Sequence, residues 1–152
     1  MFKRILVAVD GSDTAQQALQ EAIKLAQELQ ARLRIVHAVD VVNLDLGTEF
    51  PNPIEIAEAL TKGGQEILRK AQAVAKKAGI AAETHLIEIN MLGHRIAEMI
   101  AADAEAWPAD LIVICTHGRH GLSRLLLGSV AEGVVRVATK PVLLIRGKWL
   151  VL

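Results

Sequence analysis

Tyrosine is absent from the chain, and only two tryptophans and two phenylalanines stand among its 152 residues. With aromatics so scarce while apolar residues make up 52% of the sequence, the core must be aliphatic, built from Val, Ile, Leu and Ala. A single cysteine, Cys115, excludes an internal disulfide and fits a reducing compartment. No apolar run approaches the roughly 18 residues a membrane span requires. Met1 to Ile5 enters a strand-like run with no h-region or small-residue cleavage site. These absences predict a cytoplasmic protein with no membrane partner. Excess charge is missing too: Lys plus Arg and Asp plus Glu number 17 each. The overall field therefore gives no reason to expect nucleic acid or an acidic surface as partner. The length is that of one domain, and residues 1–152 read as one, with no internal repeat.

What is present is a regular alternation of patterns. Ile5 to Val9 is a continuous apolar run ending at Asp10-Gly11-Ser12-Asp13, which reads as a strand buried on both faces, then a turn and helix cap. Ala15, Ala18, Leu19, Ala22, Ile23, Ala26 and Leu29 follow at three-and-four spacing and predict a helix to about Gln30. Leu33 to Val39 is the second strand. Residues 40–53, with Gly47, Pro51 and Pro53, form a long loop of the kind that is usually functional or mobile. Ile67, Leu68, Ala71, Val74, Ala75 and Ala78 predict a second helix closed by Gly79. Gly63-Gly64 is expected to weaken or kink any extension of it back to Ile54. Glu83 to Ile89 alternates polar and apolar residues, the mark of an edge strand. Ile96, Met99, Ile100 and Ala104 place a third helix before Pro108, and Leu111 to Cys115 is the fourth strand. Leu127, Val130, Ala131, Val134 and Ala138 line a fourth helix, and Pro141 to Arg146 is the fifth strand with proline at its first residue.

Strands alternating with helices imply right-handed crossovers and an α/β fold: an open, mainly parallel five-stranded sheet with helices on both faces, Rossmann-like. Ligands of such sheets sit beyond the carboxyl ends of the strands, where the strand order reverses. If the first and fourth strands are neighbours there, Asp10-Gly11 and the stretch from Cys115 to Gly121 converge on one crevice.

That second stretch, Cys115-Thr116-His117-Gly118-Arg119-His120-Gly121 running on to Leu127-Gly128-Ser129, is the most direct pointer to a ligand. A buried strand, a glycine-bearing loop and a helix amino terminus together suit phosphate, because glycines admit close backbone approach and the helix end presents unpaired N–H donors. Each residue carries two readings. Gly118, Gly121 and Gly128 either bring N–H groups to phosphates, with Ser129 adding a hydroxyl, or serve a turn that needs positive φ. The spacing matches neither G-x-x-x-x-G-K-[ST] nor G-x-G-x-x-G. Asp10 either accepts from a base amino group or sugar hydroxyl, or caps a turn. Arg119 and Arg124 either add charge or are solvated. Asp110 precedes its strand, at the opposite edge of the sheet, and reads as structural. His117 and His120 lack a carboxylate or thiolate at ligand spacing, so no metal site is expected. Ser129 lacks the G-x-S-x-G elbow of a hydrolase, and Cys115 reads as a packing residue, not a nucleophile.

Across Ile5 to Asp13, His37 to Asp40, Ala109 to Gly121, Leu125 to Glu132 and Pro141 to Arg146, the chain resembles a universal stress protein over nearly its whole length. The nucleotide-binding branch of that family has an adenine nucleotide α-hydrolase-like sheet of strand order 3-2-1-4-5 and a G-x2-G-x9-G-[ST] signature. Here the signature reads Cys115-x2-Gly118-x9-Gly128-Ser129, with Cys115 in place of the first glycine and its Cβ restricting ligand approach. The resemblance implies ATP as ligand, with any Mg²⁺ carried by the nucleotide. Asp10 would contact adenine and Ala38 would pack on the base. Gly118, Gly128, Ser129 and Val130 would surround the phosphates with His117 and Arg119 nearby, and Ala8 and Cys115 would complete the set.

By the same resemblance the last strand, Val142 to Arg146, pairs with its copy in a homodimer. The sequence adds an apolar tail, Trp149 to Leu152, that either docks on the partner or extends that pairing, or is a frayed terminus. The implied function is an ATP-binding regulatory protein of the stress response. Little intrinsic turnover is expected, since no P-loop lysine or water-positioning pair is evident. Two alternatives stay open. One is a dimeric interaction module that binds no nucleotide because Cys115 blocks the pocket. The other is an adenylate-forming or pyrophosphatase-type enzyme with its phosphate loop after the first strand. A phosphoreceiver is disfavoured, because the third strand ends at Ile89-Asn90 with no acceptor aspartate.

Overall fold

Residues 1–42, 52–117 and 127–147 are described by the computed structural model. In chain order these residues form β1 (Arg4–Ala8), α1 (Asp13–Leu29), β2 (Arg32–Asp40), α2 (Pro53–Lys77), β3 (Glu83–Ile89), α3 (Ile96–Ala106), β4 (Leu111–Cys115), α4 (Ser129–Val137) and β5 (Val142–Ile145). The strands pair in parallel in the order β3-β2-β1-β4-β5, as the sequence led us to expect, with β3 at an edge. β1 is central, its Ile5 standing opposite Leu33 of β2 on one side and Leu111 of β4 on the other.

The period-2 alternation of the strands divides the aliphatic core between two faces. Ile5, Val7, Leu33, Ile35, Leu111 and Val113 pack against Ala18, Leu19 and Ala22 of α1 and Leu68 and Ala71 of α2. Leu6, Ala8, Val36, Ile112 and Ile114 turn the other way, against Ala97, Ile100 and Ala104 of α3 and Val134 of α4. Ile5, Leu6, Leu19, Leu33, Ile35 and Ile112 are fully buried, each contributing about 1.5–3 kcal/mol of hydrophobic stabilisation.

Local chemistry sets the helix ends. Ser12 caps α1, its Oγ accepting from the Ala15 N–H at 3.2 Å. Asn52 caps α2 by accepting from the Ile54 N–H at 2.9 Å, with Pro53 as the first helical residue. Gly79, at φ +83°, sits one residue past the cap of that helix, Ala78.

α2 corrects the sequence reading. It is one helix of 25 residues running through Gly63-Gly64 without interruption. Gly64 is there because α2 lies close on the sheet: a Cβ at that position would stand 2.8 Å from Leu86 Cδ1, 2.9 Å from His37 Cδ2 and 3.1 Å from Val39 Cγ1. Smaller corrections concern boundaries. β1 runs from Arg4 to Ala8, one residue earlier than the apolar run suggests. Pro141 lies just outside β5, where its carbonyl accepts from Ile112 N–H at 3.0 Å. Leu127 precedes α4 and is 37% exposed. Of the loop 40–53, residues 43–51 lie outside the described residues.

At the amino ends of the strands a polar cluster ties the sheet to α3. Asp110 accepts from the backbone N–H groups of Lys3 and Arg4 at 2.8 and 3.1 Å, the structural role expected for it. Arg4 donates to the Trp107 carbonyl at 3.0 Å and lies over its ring, while Arg34 reaches both carboxylate oxygens of Asp103. These contacts lie at the edge of the sheet opposite the carboxyl ends of the strands.

The two α2 glycines are expected to respond oppositely to alanine. A Cβ at Gly63 would meet no neighbour within 4 Å, so Gly63→Ala should stabilise by about 0.5–1 kcal/mol through helix propensity. Gly64→Ala should destabilise by about 1–3 kcal/mol through overpacking. Urea denaturation of both variants checks the pair; a gain at Gly64 would contradict the close approach of α2.

Candidate functional site

β1 and β4 are paired only from Ile5–Leu111 to Val7–Val113. Beyond that point β1 stays with β2, Val9 N–H donating to the Val36 carbonyl at 2.9 Å, while β4 stays with β5, Thr116 N–H donating to the Ile145 carbonyl at 2.9 Å. The strands part, and a crevice opens at the reversal of strand order. A cavity of about 280 Å³ lies there, bordered by Ala8, Val9, Asp10, His37, Ala38, Ile96, Ile100, Ile114, Cys115, Thr116, Gly128, Ser129, Val130 and Ala131. It is at the small end of the range for small-molecule sites.

Asp10 lies at the end of β1, on the crevice wall. Its Oδ1 accepts from the Ser12 N–H at 2.9 Å and from the Ser12 hydroxyl. Gly11, at φ +83°, makes the turn between them. The turn reading of Asp10 therefore holds, and the same carboxylate borders the cavity.

On the other side stands the amino terminus of α4. Gly128 is its cap, with φ −62° and ψ 155°. That is an extended conformation open to any residue, so the positive-φ reading fails for this glycine. Gly128 supplies no side-chain cap to the helix, and the amides of a first helical turn have no acceptor within the helix. Its own N–H donates to the Thr116 carbonyl at 2.6 Å. Ser129 and Val130 follow as the first helical residues and border the cavity.

Between these polar ends the lining is aliphatic. Ala8 and Ala38 form its floor from β1 and β2, and Ile96 and Ile100 of α3 with Ile114 of β4 form its wall. Sequence reading missed Ile96 and Ile100 as lining residues, although their spacing of four places them on one face of α3. His37 was missed as well. Its Nδ1 lies 2.7 Å from the Val9 carbonyl, an acceptor only, so that nitrogen carries the hydrogen and ties β2 to the end of β1.

The structure brings Ala8, Asp10, Ala38, Cys115, Gly128, Ser129 and Val130 together at the crevice. His117 is buried behind the lining: Thr14 donates to its carbonyl at 2.6 Å and Thr116 Oγ1 lies 2.9 Å from its Nδ1. Gly118 and Arg119, together with His120, Gly121 and Arg124, lie outside the described residues. Cys115 belongs to the α1-side cluster with Leu111 and Val113, following the strand alternation, while it also borders the cavity.

The sequence matches the universal stress protein family across residues 1–146. It is 37% identical over 147 residues to a universal stress protein of Methanocaldococcus jannaschii, the match covering 96% of this chain and 83% of that protein. Among solved structures, a universal stress protein from Burkholderia pseudomallei is 35% identical with a TM-score of 0.75, covering 95% of this chain and 96% of that one. Another, from Archaeoglobus fulgidus and solved in complex with dAMP, is 28% identical with a TM-score of 0.65, covering 95% and 98% of the two chains.

Burial, and after it the nearby Asp10 carboxylate, push the Cys115 thiol above its ordinary range. The folded chain therefore holds that proton more tightly than the unfolded one. The resulting stability is fully present at neutral pH and is lost as pH climbs past the ordinary thiol range and through the raised value. Because the thiolate is the reactive form, iodoacetamide at pH 8 should alkylate folded Cys115 at least about a hundredfold more slowly than in denaturant. Equal rates in the two states would contradict the burial.

Proposed function

The chain belongs to the universal stress protein family, and we propose that it is a cytoplasmic, ATP-binding member with a regulatory role in the stress response and little intrinsic turnover. The observation that carries this reading is Gly128. Its backbone conformation needs no glycine, and as a cap without a side chain it offers the first amides of α4 no side-chain acceptor of its own beside the cavity. Such a helix end is suited to phosphate. The dAMP bound to the Archaeoglobus fulgidus relative supports an adenine nucleotide as the ligand class.

In this reading Asp10 accepts from the exocyclic amino group of adenine, and Ala8, Ala38, Ile100 and Ile114 enclose the base. Ser129 and the amides of Ser129 and Val130 take phosphate oxygens, joined by Gly118 and Arg119 of the family motif. Mg²⁺ arrives bound to the nucleotide. Among the described residues, no group of three His, Cys, Asp or Glu is placed to hold a metal. Little turnover is proposed because the sequence offers no P-loop lysine and no evident pair to position an attacking water. No helix among the described residues is long and apolar enough to cross a membrane.

A second copy is proposed to pair along β5. Among the described residues β5 is an edge strand, and Leu143 on it and Val135 and Val137 of neighbouring α4 are 36%, 47% and 42% exposed. The tail Trp149 to Leu152 proposed to join this contact lies outside the described residues.

Titration calorimetry with Mg²⁺ and ATP should give saturable binding. Asp10→Asn, which retains an acceptor for the Ser12 N–H, should weaken it roughly tenfold. The absence of binding heat in the wild type, with no co-purified nucleotide in native mass spectrometry, would favour the interaction-module alternative. Sedimentation equilibrium should find a dimer that Leu143→Lys converts to monomer; a monomeric wild type would reject β5 pairing.

A further inference from the structure

Thr14, in the first turn of α1, does not border the cavity, yet two segments converge on it. Its Oγ1 lies 2.6 Å from the His117 carbonyl oxygen. A carbonyl only accepts, so the single hydroxyl hydrogen of Thr14 is committed to that bond. On the other side, a Cβ at Gly147 would stand 2.3 Å from Thr14 Cγ2, so only glycine lets the chain leaving β5 pass over the methyl group. A β-branched side chain has few rotamers. With the methyl held under Gly147, the hydroxyl is aimed at His117.

Ser12 does separate work. Its Oγ accepts from the Ala15 N–H and donates to Asp10 Oδ1. Ser12 Oγ and Thr14 Oγ1 are 3.1 Å apart, but Ser12 donates to Asp10 and Thr14 to His117, so neither hydroxyl has a hydrogen left for the other. Ser12 therefore serves the Asp10 wall and Thr14 serves the β4 wall.

The β4 wall carries the helix end. Thr116, one residue before His117, donates its N–H to Ile145 and accepts at its carbonyl from the Gly128 N–H at 2.6 Å. The Thr116-His117 dipeptide is thus pinned to β5, to α1 through Thr14, and to the cap of α4. Displacing His117 displaces the carbonyl on which Gly128 hangs.

We infer that Thr14 is a positioning residue for the phosphate-binding end of the site: its hydroxyl fixes the exit of β4 and, through Thr116 and Gly128, the amino terminus of α4. The inference rests on the nucleotide reading above. It differs from a general stabilising role in one respect, because loss of the hydroxyl harms only ligands that carry phosphate.

The test measures dissociation constants of adenosine, AMP and ATP by calorimetry for the wild type, Thr14→Val and Thr14→Ser. Thr14→Val keeps the branched shape and removes the donor; it should weaken AMP and ATP roughly tenfold and adenosine by less than about twofold. Thr14→Ser keeps the donor and should bind ATP within about threefold of the wild type. Equal losses for all three ligands, or no loss in Thr14→Val, overturn the inference, as does a serine variant as weak as the valine one. Should Thr14→Val fail to fold, Gly147→Ala, which drives the methyl aside and leaves the hydroxyl in the chain, must show the same phosphate-selective loss or the inference falls. A wild type that binds none of the three ligands rejects the nucleotide reading and this inference with it, whereas wild-type binding with an unaffected Thr14→Val rejects this inference alone.

Discussion

The parting of β1 from β4 after three paired residues is the constraint on which the rest of the structure depends. In a parallel sheet every interior backbone group needs a partner, and a strand that leaves one neighbour must satisfy those groups on the other side. Here Val9 turns to Val36 and Thr116 turns to Ile145. The crevice between them therefore costs no buried unpaired backbone groups at these positions. Its existence follows from topology: the chain builds outward from β1 to β3, then returns to lay β4 on the other side of β1. Helices α1 and α2 cover one face and α3 and α4 the other, so the gap opens among helix amino termini, where donors are unpaired.

Much of this was legible in the sequence, and the reason is physical. Strands buried on both faces must be apolar at every position, and Ile5 to Val9 and Leu111 to Cys115 are. A sheet edge with one exposed face must alternate, and Glu83 to Ile89 does. Those patterns are local, so they survive without a structure. Asp10, Gly128 and Ser129 could be placed at the crevice that they border because strand ends and helix starts are also local features, whereas Ala38 came only from the family resemblance. Gly64 was misread because its reason is not local: the helix runs on through a residue of poor propensity since Leu86, His37 and Val39, all distant in sequence, stand where a side chain would be. The same holds for His37 and Thr14. Their partners, Val9 and His117, lie 28 and 103 residues away, and no spacing rule reaches that far.

The unequal capping of the helices gives the crevice a direction. α1 begins beside Asp10, and its amino terminus is closed: Ser12 accepts from Ala15, and Asp13 adds negative charge in the first turn. An anion approaching that end meets a capped Ala15 N–H and the carboxylates of Asp10 and Asp13. α3 turns Ile96 and Ile100 to the cavity, an apolar wall. Among the described helices, α4 alone combines a glycine cap without a side-chain bond with a serine as its first residue. The partial positive charge of a helix terminus acts within about one turn. Its pull is therefore felt at Ser129 and Val130, whereas Asp10, which also borders the cavity, offers a carboxylate. In the proposed reading a nucleotide would therefore lie with its phosphates toward α4 and its base toward Asp10, over Ala8 and Ala38.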